Sequence, residues 1–200
     1  VKNTSELEHQ CLFWAKGKLA AQKDSNNYEA MNWLMRAIRI TLPDFNGKTP
    51  LRNHLLTFDE ITIINSIAVR YAENGELLVA IQLDMWLKEY MESKIVDAKI
   101  KTTKYPMILY NLSCWFEDEQ CYKEELKMAD QGIEFCVKYG NLAAFPRLVL
   151  NKGVALTKLG DNVSARKYLH QAITIFDAMQ KDNTVQHIIA WCKDNCNFEI

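Results

Sequence analysis

The sequence has little of what sheets, covalent staples and membrane spans require. Seven glycines and four prolines in 200 residues are few for a chain of many strands and tight turns. Helix-favouring Leu, Ala, Lys, Glu and Met are common instead, which points to an all-α protein. The six cysteines, Cys11, Cys114, Cys121, Cys136, Cys192 and Cys196, form no Cys-x-x-Cys pair and no framework spacing, which argues against a disulfide scaffold. Cys192 and Cys196 lie one helical turn apart with His187 before them. A zinc site ordinarily supplies four well-spaced ligands, so reduced, packed thiols are expected and no metal or cofactor is. No apolar run approaches the roughly 18 residues of a membrane span. Nothing at the start reads as a signal peptide, because Cys11-Leu12-Phe13-Trp14 is short and followed by Lys16 and Lys18. An excess of one charge is lacking too: 24 basic residues stand against 25 acidic ones, so no global field draws the chain onto nucleic acid or an anionic membrane. A soluble, cytoplasmic protein with no membrane partner and no direct DNA contact is expected.

What is present is helical periodicity. Apolar residues at Leu7, Cys11, Trp14 and Ala15 mark a first helix, and Ala30, Trp33, Leu34, Ala37 and Ile38 a second that Pro43 ends. An irregular connector spans 43–56. Thr57 and Glu60 then form a capping box for the next helix, Gly75 breaks it, and a partner helix follows. The third pair starts either near Asp97 or near Pro106, since proline suits a first turn but kinks a longer helix. Gly140 reads as a left-handed cap, and Gly160-Asp161 as a stop followed by a start. The expectation is one domain over 1–200, a right-handed superhelix of tetratricopeptide-like helix pairs at 4–42, 57–93, 97–139 and 144–180. A helix at 184–195 caps the end of the stack. The anchoring residues Ala30, Ala80, Leu126 and Ala165 are spaced more widely than the about 34 residues of a standard repeat.

An asparagine recurs at one place in the first helix of three pairs: Asn65, Asn111 and Asn151. At about 100° per residue, Asn65 falls at the edge of the apolar arc, beside Thr62 and Val69. If first helices line a concave face, the three amides form a row along one groove. Each offers a donor and an acceptor, which suits the backbone of an extended peptide whatever its side chains. Ile108, Trp115, Leu148 and Val69 would supply apolar pockets between them, and Lys104 and Arg147 would take a carboxylate. The plainer alternative is that each asparagine bonds a neighbouring helix and ties the repeats together.

Tyr105-Pro106-Met107-Ile108-Leu109-Tyr110-Asn111-Leu112-Ser113, Tyr122-Lys123-Glu124-Glu125-Leu126 and Leu150-Asn151-Lys152-Gly153-Val154-Ala155-Leu156 resemble the tetratricopeptide sensor domains of bacterial peptide-responsive regulators, the Rap, NprR, PlcR and PrgX group. The resemblance covers roughly residues 57 to 180. It implies a cytoplasmic receptor, commonly a homodimer, that binds a short signalling peptide in its concave groove. Such a receptor reaches DNA only through a separate helix-turn-helix domain, for which this chain has no recognisable segment. Asn65, Asn111 and Asn151 match the group's backbone-clamping asparagines.

Two other classes use the same architecture. A tetratricopeptide scaffold would dock a protein tail in the same groove. A Rap-like phosphatase regulator would need catalytic groups, yet His9, His54, His170 and His187, Asp59-Glu60 and Glu117-Asp118-Glu119 show no nucleophile, base and orienter at motif spacing, and no phosphate loop occurs. No catalytic residue is expected, and the acidic runs read as solvated helix ends.

Overall fold

The computed structural model describes residues 4–22, 27–48, 54–93 and 96–196. Among these the chain forms only helices: α1 (Thr4–Gln22), α2 (Asn27–Thr41), α3 (Phe58–Glu73), α4 (Leu77–Ser93), α5 (Ala98–Asp118), α6 (Tyr122–Tyr139), α7 (Phe145–Lys158), α8 (Asn162–Ala178) and α9 (Asp182–Asn195). They divide into two compact units between Val96 and Asp97, not at the irregular stretch 43–56.

In the first unit α1 packs on α2, α2 on α3 and α3 on α4. The capping box forms as the sequence predicts: Thr57 Oγ1 accepts from the Glu60 amide at 3.3 Å, and Glu60 Oε2 accepts from the Thr57 amide at 2.7 Å. The 43–56 connector is anchored through Phe45, which is buried and whose carbonyl accepts from Arg39 Nε at 3.3 Å, and through buried Leu56; residues 49–53 lie outside the described ones. Helix α1 departs from its expected face. Leu7 and Cys11 are exposed and Trp14 and Ala15 half-buried. It docks instead through Gln10, Gly17 and Ala20. Gln10 Nε2 donates to the Ala37 carbonyl at 3.2 Å and to Thr41 Oγ1 at 2.8 Å, and a Cβ on Gly17 would stand 2.9 Å from Leu34 Cγ. A polar anchor and a small residue permit the closer approach that the periodicity of large side chains does not show.

The second unit is a chain of neighbours: α5 on α6, α6 on α7, α7 on α8 and α8 on α9, with α5 also touching α7. Of the two starts open to α5, the earlier one is taken. Asp97 Oδ1 caps it by accepting from the Lys99 and Ile100 amides at 2.9 and 3.2 Å. Pro106 therefore lies inside the helix, where it cannot donate to the Thr102 carbonyl one turn back. Asn141 Nδ2 takes that carbonyl instead, at 2.5 Å, which satisfies the group the proline orphans.

Helix pairs close on one recurrent position. Ala30, Ala80, Glu125 and Ala165 are each the fourth residue of α2, α4, α6 and α8, and all four are 0% exposed. The residue matching the three alanines is thus Glu125 and not Leu126, which is half-buried. The interval of 15 residues from Asn65 to Ala80, applied from Asn111, reaches Leu126 and overshoots by one, because α4 begins one residue later after its asparagine than α6 and α8 do. Approach is also tight around Gly132 and Gly153, where a Cβ would stand 2.7 Å from Leu148 Cδ1 and 2.8 Å from Leu169 Cγ. The lower core joins Val149, Leu169, Ala172, Phe176, Val185, Ile188 and Cys192 from α7, α8 and α9.

Candidate functional site

The asparagines are partly consumed by the fold. Asn65, in the first unit, is 7% exposed, and its Nδ2 donates to both carboxylate oxygens of the buried Asp84 at 3.2 and 2.9 Å. It ties α3 to α4. Removing one partner of a buried hydrogen-bonded pair costs about 1–3 kcal/mol, so Asn65→Ala is expected to lower the unfolding free energy by roughly that amount. Chemical denaturation checks this, and an unchanged midpoint would contradict it. In the second unit Asn151 is 6% exposed, and its Nδ2 donates to Ser113 Oγ at 2.7 Å and Cys114 Sγ at 3.3 Å. Ser113 Oγ in turn donates to the Tyr110 carbonyl at 2.8 Å. Burial, followed by neighbouring Cys114, pushes the Tyr110 phenol up to about 12, and burial raises the Cys114 thiol. Burial thus favours the neutral forms of Tyr110 and Cys114 at the α5–α7 seam.

The other expected residues take different places. Ile108 and Leu148 are fully enclosed and Trp115 is 7% exposed, so these three belong to the helix-packing core and do not form the apolar pockets expected of them. The reason is geometric: spacing puts them on the right arc, but neighbouring helices close over that arc. Thr62 and Val69 are half-buried, and Thr62 Oγ1 donates back to the Phe58 carbonyl at 2.7 Å. Asn111 and Lys104 are half-buried on α5. Arg147 is exposed with its guanidinium 5.5 Å from the Tyr110 ring centre.

A pocket of about 290 Å³ does open in the second unit, between alternate helices. Its wall is Glu117 from α5, Leu150, Asn151 and Val154 from α7, and Thr184, His187, Ile188 and Trp191 from α9. Of the residues selected from the sequence, Asn151 is the one in this wall. Helix α9 thus does more than cover the stack: it continues the α5, α7 series and builds a third side. The signal for it was in the chain, since the interval from Asn111 to Asn151 recurs from Asn151 to Trp191. An indole stands where the next amide after Asn151 would be.

The wall carries one acid, Glu117, with a second buried behind it. Glu117 is half-buried rather than solvated, and burial, then Asp118, raises its carboxyl above the ordinary range. Glu125 stands beside it. Both of its oxygens lack a hydrogen-bond partner among the described residues. Burial, followed by the charges of Glu117 and Asp118, pushes its carboxyl up to about 8, while Lys158 pulls the other way. At neutral pH Glu125 is mostly protonated. Lys158 Nζ donates to Asn195 Oδ1 at 2.8 Å and lies 5.6 Å from the Trp191 ring centre.

Over residues 12–195 the sequence matches the model of the RNPP family C-terminal domain. The chain belongs to the RNPP family. No curated protein matches the sequence. The RNPP domain is similar in structure to PlcR of Bacillus thuringiensis in its apo form, with a TM-score of 0.75 and 19% identity over 94% of this chain and 66% of that one. PlcR of the same organism in complex with the peptide PapR7 and DNA gives a TM-score of 0.57 and 16% identity over 97% and 70% of the two chains. A Podosopora anserina putative kinesin light chain with nearly identical TPR-like repeats gives 0.62 and 13% identity over 95% and 100%. At these identities the likeness establishes the fold, an all-α helical repeat. The RNPP domain spans 66% of the length of the apo PlcR chain.

Proposed function

We propose that this RNPP domain is the peptide-binding sensor of a transcriptional regulator. A short signalling peptide lies against α5, α7 and α9, and occupancy is relayed to a helix-turn-helix domain of the same regulator, acting as a homodimer. The observation that carries the reading is the pocket. Leu150, Val154, Ile188 and Trp191 give it an apolar wall, with Asn151, Thr184, His187 and Glu117 supplying polar groups, the mixture that fixes a ligand's orientation. Its volume, about 290 Å³, lies at the lower end of ligand sites, about 300–1,000 Å³, and suits one or two side chains of a peptide whose backbone runs outside. The RNPP family match supports this, as does the likeness to PlcR, a protein crystallised with a peptide and DNA.

The test is capture from a random heptapeptide library, with bound peptides released and identified by mass spectrometry. Wild type is expected to retain a discrete set. Thr184→Trp, which places an indole at the half-buried rim on the first turn of α9, is expected to retain at least about tenfold less, a loss of about 1.4 kcal/mol or more, with an unchanged helical spectrum. Retention of nothing by wild type, or equal retention by both, would overturn the reading.

A further inference from the structure

Behind the pocket's Glu117 lies a residue the fold does not require. At the position where α2, α4 and α8 carry alanine, α6 carries Glu125, enclosed and without a hydrogen-bond partner among the described residues. An unsatisfied carboxyl at a helix–helix contact destabilises the native state, and groups that break the local pattern in this way concentrate at functional sites. The charged groups facing it are Glu117 and Asp118 from α5 and Lys158 from α7, and the titratable group that α9 adds to the wall shared with Glu117 is His187. Glu117 is common to both features, because it lines the pocket and faces the buried acid. Lys158 is already engaged by Asn195 and Trp191 of α9, so three acids share one committed cation. The pocket therefore presents Glu117, backed by the enclosed Glu125, beside an apolar wall.

We propose that this pocket selects peptides with a cationic nitrogen next to a large apolar side chain, the nitrogen meeting Glu117 with Glu125 behind it, and the apolar group lying on Leu150, Val154, Ile188 and Trp191. The nitrogen is a Lys or Arg side chain or a free N-terminal amine. The inference rests on the peptide-sensor reading and adds the chemistry of the ligand. Binding is linked to proton release. A cation stabilises the ionised carboxyls, so the proton held by Glu125 leaves as the ligand arrives, and affinity for a Lys or Arg side chain, which stays charged throughout, rises as pH climbs from 6 toward 8.5.

Two random heptapeptide libraries, one with free N-termini and one N-acetylated, are passed over wild type, Glu117→Gln and Glu125→Gln at pH 6, pH 7 and pH 8.5, with folding of each variant checked by circular dichroism. Wild type is expected to enrich Lys or Arg beside Leu, Ile or Phe in both libraries if the side chain is the source, or to retain only the free-amine library if the terminus is. Retention of peptides held through a Lys or Arg side chain should be about tenfold stronger at pH 8.5 than at pH 6, whereas peptides held through an N-terminal amine, which itself loses its charge at about pH 8, should bind more weakly at pH 8.5 than at pH 7. Glu117→Gln should lose about tenfold or more at pH 8.5, and Glu125→Gln should lose most of the pH dependence. Peptides captured by wild type with no cationic preference would overturn this inference while leaving the sensor reading intact. Capture of nothing would overturn both.

Discussion

Glu125→Gln will remove most of the decline in stability that the wild-type protein shows between pH 5 and pH 9. In the native state Glu125 holds its proton up to about pH 8, against 4.5 for its ordinary value. A group whose pKa is raised on folding contributes stability that is fully present below the unfolded value and is lost as pH rises through the folded one. Wild type is therefore most stable on the acid side of this window and weakens across it. The raised carboxyl of Glu117 acts in the same direction. At about 1.4 kcal/mol per pH unit, discounted for water reaching the cluster, the decline assigned to Glu125 is roughly 2–4 kcal/mol. Glutamine keeps the shape and cannot ionise, so its profile should be nearly flat over the same range. Thermal melts of both proteins at half-unit steps check this, and parallel profiles would contradict it.

Trp115→Ala will lower the unfolding free energy by about 3–5 kcal/mol, the usual result of deleting an enclosed aromatic side chain. The sequence points to another outcome, a loss of ligand binding larger than the loss in melting temperature, because helical spacing puts Trp115 on the arc that carries Asn111. At 7% exposure it has almost no surface to offer a ligand. Denaturant titration of the variant decides the matter: a midpoint within a few tenths of a molar of wild type would return Trp115 to the groove.

These two residues show which features a sequence exposes. Thr57 with Glu60, Gly140 and Gly160-Asp161 act within a few residues of chain, so caps and turns appear where local chemistry places them. Helix faces follow from spacing in α2 and α3. The depth of a side chain depends on helices remote in sequence, and Ile108, Trp115 and Leu148 could not be ranked without them. The start of α5 was similarly hidden, since the stability of a helix around Pro106 depends on Asn141, far along the chain. Glu125 was invisible for a different reason. A glutamate in a lysine- and glutamate-rich helix reads as surface, and only the coincidence with Ala30, Ala80 and Ala165 reveals it as interior. The asparagine row was legible as a pattern, but its geometry makes Asn65 a structural tie and leaves Asn151 both a tie and a pocket residue.

Amide hydrogen exchange of the domain with and without a captured heptapeptide tests most directly whether a peptide occupies the α5, α7 and α9 face. Slowed exchange should be greatest around Glu117, through 150–154 and through 184–191, the three stretches that meet at the pocket. Protection greatest on other helices, or exchange unchanged by saturating peptide, would contradict a ligand site between them.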